Sequence, residues 1–507
     1  MAAEDRDVVG PQAAAGSVSP ASTREMWTVT SVVTFGAFLT QLDATIVNVS
    51  LSTLAQDLHS SLSTIHWVTS GYLLALALVL PLNGWLVDRF GAKRIYIWCI
   101  SAFTLTSAMC GLAWSSGSLI TFRIMQGLSG GLLAPMTQLM MARVAGNRMA
   151  EVVGFAAVPV LLAPLLGPVA AGAILHYGSW RWLFLVNVPI GAIAIAMVVS
   201  LLPSDRNERR RRSLDFAGLL LLAPAMVLLL YALDRLPALI GLATLLPALV
   251  LLAAFLYRAR AKGEQALIRL DLFSKPAFTP AVVVQFFSNG VSFAGQMLLP
   301  LYLLRACGRS PTEVGFLLAP LGVGMMCGYP LMGFLTKRFG VRPVSLTGAL
   351  LALAGTLLLA FPVERGLVMA VFIPALFLRG AGMSAVGVPT VAAAYASIAR
   401  EDVPMASTAL NIVQRLGGPT LTTVISTFLA WRISAGGPTV APYSQALLVL
   451  AGLHALLALA ALRLPEGVNP DKGSAKSRGP GSSSETSPVT STAPQRSDRS
   501  EKIRPCR

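Results

Sequence analysis

Apolar runs of 18 residues or more recur along this chain, from near residue 27 to residue 464. A helix of about 20 apolar residues crosses the ~30 Å hydrocarbon core of a bilayer. In lipid every backbone N–H and C=O must find a partner without water, so such runs are confined to helices packed side by side. Composition agrees. Hydrophobic residues make up 55% of the 507 residues and charged ones only 12%, against about 25% charged in soluble domains. A fold this apolar has too few polar groups to cover its own surface in water.

The runs predict an all-α polytopic membrane protein with fourteen spans. They lie near residues 27–51, 64–86, 95–113, 118–141, 151–175, 182–202, 215–233, 236–257, 278–304, 313–336, 342–361, 367–394, 404–431 and 444–464. Glu151, Asp215 and Glu313 fall in first turns, where an acid complements the helix dipole, and are read as structural. Loops on one side of the predicted array, with Arg342 at the edge of its span, hold nineteen Lys and Arg residues, those on the other six. The positive-inside rule therefore puts both termini in the cytoplasm of a cell whose inner membrane holds the spans. The net charge of +16 belongs to these loops, not to a nucleic-acid surface. Arg206 and Arg209 to Arg212 form the densest cluster, a topology anchor that also suits anionic lipid. Residues 1–26 read as a cytoplasmic tail without a cleaved leader. Residues 465–507, rich in Ser, Pro, Thr and Arg, read as a disordered cytoplasmic tail.

The chain repeats itself. Gly84-Trp-Leu-Val-Asp-Arg-Phe-Gly91 and Gly333-Phe-Leu-Thr-Lys-Arg-Phe-Gly340 match at five of eight positions, 249 residues apart. Leu166-Gly167-Pro168 aligns with Gly417-Gly418-Pro419 at 251, and Arg123 with Arg379 at 256. A duplicated six-helix unit follows: one bundle over 27–202 and another over 278–464. Residues 203–277 then hold the basic loop, two extra helices and a linker. Parallel repeats of this kind place a substrate site between the halves, near the bilayer midplane.

These motifs carry a family resemblance. Gly84 to Arg94 resembles the loop 2–3 signature of the major facilitator superfamily. Leu42-Asp43-Ala44-Thr45-Ile46-Val47-Asn48-Val49 resembles the first-helix motif of its fourteen-span drug:proton antiporter family. Arg123-Ile-Met-Gln126-Gly127 through Gly131 is similar to the family's fourth-helix motif. Ala163-Pro164 through Gly172 is similar to the antiporter motif, and Trp180 to Gly191 to a further segment of that branch. Ser50-Leu51-Ser52 departs from the usual Ala-Leu-Pro ending, and Lys337 stands where the first half has Asp88. The resemblance implies export of small, largely apolar drugs or antibiotics, driven by the proton gradient without a cofactor.

Asp43 stands out among the acids: the other 22 fall in loops, tails or helix ends. An ionised Asp in mid-span costs about 2.5–3.5 kcal/mol on insertion scales and usually faces a cavity. Two roles stay open for it, a proton carrier tuned by Arg123 or a permanent buried ion pair. For Arg123 the alternative is an arginine snorkelling near the cytoplasmic end of its helix. Through the resemblance, Gly84, Asp88, Arg89, Gly91 and Arg94, with Lys93 nearby, become a cytoplasmic gate. Asp88 would hold a helix N-terminus near Met405. Pro164, Gly167, Pro168 and Gly172 become a bending seam. Gln41, Asn48, Gln126, Asn187, Gln285, Asn289, Gln296 and Asn411 are candidates for lining a cavity or bonding between helices. Arg379 and Arg415 face no acid in their half, and suit anionic substrate groups, backbone carbonyls or lipid phosphate.

No histidine or cysteine spacing suggests a metal, and the five cysteines read as apolar filler. No phosphate-binding loop or nucleophile–base pair is recognisable, so neither ATP drive nor an enzyme is expected. The expected partners are a small-molecule substrate, protons and membrane lipid; the sequence is silent on a periplasmic adaptor. Alternative functions are an exporter dedicated to one metabolite, lipid or siderophore, and a membrane sensor that transports nothing.

Overall fold

A computed structural model describes residues 22–202, 214–236, 238–360, 368–436 and 440–466. The Arg206–Arg212 cluster and the tails beyond residues 22 and 466 lie outside it. Every regular element among the described residues is helical. The first half holds α1 (Thr23–Val49), α2 (Leu51–Asp57), α3 (Leu62–Val79), α4 (Asn83–Phe90), α5 (Ala92–Gly111), α6 (Ser116–Ala145), α7 (Met149–Tyr177), α8 (Trp182–Leu185) and α9 (Asn187–Leu201). Then come α10 (Phe216–Arg235) and α11 (Leu239–Lys262). The second half holds α12 (Phe278–Leu301), α13 (Pro311–Phe339), α14 (Val341–Ala360), α15 (Met369–Ala396), α16 (Val403–Gly436) and α17 (Ala441–Ala461).

Each predicted span falls on one of these helices or on a helical run. The run over α3 and α4 continues through Leu80–Leu82 without a break. Among the described residues, ten runs are long and apolar enough to cross a membrane. Two helices that miss this mark, α6 and α16, carry interior polar groups: Arg123, Gln126 and Gln138 on one, Asn411, Gln414 and Arg415 on the other.

The termini of the helices follow from local chemistry. Ser115 and Ser118 form a capping box on α6, and Ser310 and Glu313 another on α13, satisfying N–H groups left free in a first turn. Glu313 is thus structural, as expected. Asp215 accepts from the Gly218 N–H as the N-cap of α10, and its carboxylate also receives Arg258 and Lys262 of α11. The repeat is visible in the backbone: Gly91 and Gly340 close their matching segments at φ 90° and 88°, a conformation that side-chain-bearing residues rarely adopt.

Packing joins α1, α3, α5, α6, α7 and α9 to one another, and α12 to α17 likewise. Helix α10 pairs with α11 and also touches α3 and α16, where Thr423 donates to the Leu233 carbonyl at 2.8 Å. The halves meet at the end that bears the Gly84–Arg94 segment, here termed the basic end. There Asn83 donates to Thr408 (3.3 Å), and Ser407 donates to the Pro135 carbonyl (2.8 Å). Asn411 and Tyr395 both donate to Gln138. On the other seam, Lys337 bonds Glu151 at 3.2 Å. A Cβ on Gly154 would lie 2.4 Å from the Tyr329 carbonyl, and one on Gly333 2.7 Å from Glu151. Farther from the basic end, a Cβ on Gly172 of α7, or on Gly315 or Gly322 of α13, would meet nothing within 4 Å. Helices α7 and α13 therefore touch closely at the basic end, and these glycines farther along have open space beside them.

Candidate functional site

Asp43 lies in the sixth turn of α1, and neither it nor Arg123 of α6 has exposed surface. A buried charge is tolerated when it is paired and hydrogen-bonded. Arg123 Nη1 donates to Asp43 Oδ2 at 2.7 Å and to Gln126 Oε1 at 2.8 Å. The other carboxylate oxygen, Oδ1, accepts from Asn187 Nδ2 at 2.8 Å and from Gln126 Nε2 at 3.2 Å. Arg123 Nε reaches the Val68 carbonyl of α3, and the guanidinium lies 4.1 Å from the centre of the Tyr72 ring, a cation–π contact strengthened by the burial of both groups. Arg123 thus sits two turns from the N-terminal end of α6, away from the basic end. It does not snorkel there: Nη1 and Nε are bonded and the Tyr72 face covers the guanidinium, although Nη2 is buried without a hydrogen-bond partner.

Each motif segment has a place in this cluster. Gln126 is the fourth residue of the Arg123 motif, one turn along the same helix face. Gly127 and Gly131 let α6 approach α3: a Cβ would fall 2.5 Å from the Tyr72 carbonyl at one and 2.6 Å from the Leu76 carbonyl at the other. Gly167 of α7 abuts Thr45, where a Cβ would lie 2.3 Å from the hydroxyl, so the α7 motif packs on α1 two residues beyond Asp43. The Trp180–Gly191 segment does three jobs. Arg181 Nη1 donates to the Gly111 and Ala113 carbonyls at the end of α5, a basic cap for a helix C-terminus. The Phe184 carbonyl accepts from Ser107, which in turn accepts from Asn187. Gly191 admits Thr104 of α5, which would lie 2.0 Å from a Cβ.

Tyr72, Ser107 and Cys110 belong to the site without having been singled out in sequence. Cys110 Sγ lies 3.7 Å from Gln126 Oε1, so it is more than filler. Serine, tyrosine and cysteine are ordinary in membrane helices, and only the crossing of α3, α5 and α6 brings these three to Asp43.

The remaining candidates divide. At the basic end a Cβ on Gly84 would lie 3.6 Å from Met405 and 3.5 Å from the Pro404 carbonyl. Asp88, four residues on, is buried, and Lys93 donates to the Val199 and Leu202 carbonyls at the end of α9. Arg89 and Arg94 are exposed. Gln285 donates to the Gly387 carbonyl and accepts from Gln414, and Asn411 bonds Gln138 across the halves. Gln41 and Gln296 are exposed in mid-helix, and Asn289 and Arg415 are half-buried. The Asn48, Pro164 and Pro168 side chains lie outside the described residues. Arg379 is buried inside the second half, where Nη2 donates to the Val291 carbonyl at 2.9 Å and packs on Gly295. Its repeat partner Arg123 has Asp43; Arg379 has a backbone carbonyl.

A profile of the Major Facilitator Superfamily matches residues 33–302 and 281–499. The chain belongs to this superfamily of transporters. It is 33% identical over 411 residues to a multidrug resistance protein B homolog of Mycobacterium tuberculosis, covering 80% of this chain and 76% of that protein. It is 34% identical over 334 residues to the putative multidrug resistance protein MdtD of Salmonella typhi, covering 64% and 69%. Among solved structures it is similar to the proton:xylose symporter XylE and to the human organic anion transporter MFSD10. Both have a TM-score of 0.61 at 15% identity, with 86% of this chain covered and 95% and 99% of theirs. Those two likenesses establish the superfamily fold. The motifs gathered around Asp43 are therefore those of a multi-span membrane transporter.

Proposed function

We propose that this chain exports small, largely apolar drugs or antibiotics in exchange for protons. The observation that carries the reading is the Asp43–Arg123 pair, isolated from solvent and bonded by Gln126 and Asn187. An ionised carboxylate is stable there only while the guanidinium faces it. A proton on Asp43 would cancel the attraction and release Arg123, coupling protonation to a rearrangement of α1 against α6. Kinship with proteins named for multidrug resistance supports the substrate range.

In this proposal the fourteen helical runs all cross the cytoplasmic membrane, with the basic end and both termini inside. The six-helix bundles, 27–202 and 278–464, rock about the central site. The described conformation, joined at the basic end, is then the outward-facing one. Gly84 and Asp88 act at the inner gate, against the start of α16. Proton entry supplies about 2.3 kcal/mol per 100 mV. One proton at ~150 mV sustains a gradient of a few hundredfold for a neutral substrate, at 1.4 kcal/mol per decade.

The test uses purified protein in liposomes that contain a pH-sensitive dye, under an imposed pH gradient, with a panel of drugs. Wild type is expected to show drug-dependent proton flux, and Asp43→Asn none. Equal flux in both proteins would move the proton site away from Asp43. No flux in a folded wild type would sink the exporter reading.

A further inference from the structure

Arg415 occupies a particular place on α16. Ser407, Asn411 and Arg415 follow one another at intervals of four residues and so share a helix face. The first two are buried in hydrogen bonds to α6 of the other half. Arg415 is the next step along that face and is half-buried. Its charge lies within electrostatic reach of Tyr72, the same ring that stacks on Arg123. No hydrogen bond or ion pair joins Arg415 to another described residue. Asp43 is fully engaged by Arg123, Gln126 and Asn187.

A guanidinium stays charged at any physiological pH and is costly to hold in a membrane interior without an anion. The fork of its N–H donors matches a carboxylate, sulfonate or phosphate group. We propose that Arg415 is the anion-binding group of the transport path, and that preferred substrates carry one such group on an apolar body. The inference rests on the exporter reading above and narrows its substrate class.

Charge counting explains why such a substrate suits the exchange. With Asp43 ionised and a monoanion at Arg415, the set Asp43, Arg123, Arg415 and substrate is neutral, the cheapest composition to enclose in a low-dielectric interior. After the anion leaves outside and Asp43 takes a proton, the set carries two positive charges. A membrane potential negative inside draws that state back. A cation at the same place would face two arginines and one carboxylate already occupied.

Three dyes separate the possibilities: 8-anilinonaphthalene-1-sulfonate, N-phenyl-1-naphthylamine, which has the same skeleton without the sulfonate, and cationic ethidium. Transport into inverted membrane vesicles and dye-dependent proton flux are measured for wild type, Arg415→Gln and Arg415→Lys. The sulfonate dye is expected to be the best substrate of wild type. Its rate should fall at least tenfold in Arg415→Gln and recover in part in Arg415→Lys, while the neutral dye changes less than twofold. Parallel loss of both dyes would reduce Arg415 to a structural role and overturn the proposal. Preference for ethidium, or an unchanged sulfonate rate in Arg415→Gln, would also overturn it while leaving the exporter reading standing. Absence of flux with all three dyes, in a protein that retains its thermal transition, would overturn both.

Discussion

At the scale of single residues, the Asp43–Arg123 pair governs both stability and exchange. Breaking a buried pair leaves one charge uncompensated, at about 3–5 kcal/mol. Arg123→Gln should therefore lower the melting temperature sharply. Asp43→Asn with Arg123→Gln removes both charges, so much of that stability should return while proton exchange stays absent. A double mutant as unstable as Arg123→Gln alone would show that packing around Arg123, and not its charge, is what the fold needs. The neighbouring amides bear on the same point. Gln126 and Asn187, readable from sequence as cavity lining or as bonds between helices, each donate to the same carboxylate oxygen. Their polarity serves Asp43.

At the scale of elements, helix ends carry consequences the spans do not. Gly91 and Gly340 hold a backbone conformation essentially restricted to glycine, and forcing a side chain into such a region costs of order 1–3 kcal/mol. Gly91→Ala and Gly340→Ala should each lower thermal stability by about that amount, read by the melting transition in detergent. An unchanged transition would mean that the α4–α5 or α13–α14 turn readily adopts another shape. Asp215 ties the two extra helices together. Burial pushes its carboxyl up, but hydrogen bonds from Arg258, Lys262 and the Gly218 N–H outweigh this and hold it below the usual carboxylate range. A lowered carboxyl contributes stability above its unfolded value and loses it as pH falls through the folded one. The α10–α11 contact should therefore be indifferent to pH near neutrality and loosen only in strong acid. Asp215→Asn should remove that acid-dependent step from a pH series of melting curves; a step that persists would belong to another group.

At the scale of the whole molecule, the joined basic end depends on close backbone contact. The Glu151–Lys337 bond is partly exposed, and such pairs contribute about 0–1 kcal/mol. Apposition at Gly154 and Gly333 is the stricter requirement, since any side chain there meets backbone. Gly154→Leu should part α7 from α13 at this end. A cysteine placed at Ser407, buried at the same end, should then react faster with an impermeant maleimide applied from the basic side than when Gly154 is intact. Equal reactivity would show that the α7–α13 contact does not control closure. Helix α10 also bears on the whole, because it touches α3 and α16 together and so bridges the two halves along one seam.

The pattern of apolar runs determined the helical membrane architecture, because a lipid solvent leaves the backbone few alternatives. Local motifs marked the first-turn acids and the repeated Gly84–Gly91 and Gly333–Gly340 segments, and they named Asp43 and Arg123, since an ionisable group inside an apolar run is costly enough to be conspicuous. Those features depend on a residue and its near neighbours in the chain. Which polar groups meet is another matter. Asp43 and Asn187 are 144 residues apart, and Asn411 and Gln138 are 273 apart. Tyr72 reaches Arg123 only because glycines on α6 let α3 approach. The arginines at matching positions of the repeat, Arg123 and Arg379, look equivalent in sequence. Tertiary packing gave the first a carboxylate and the second a carbonyl, because α1 presents Asp43 where α12 presents Val291 and Gly295.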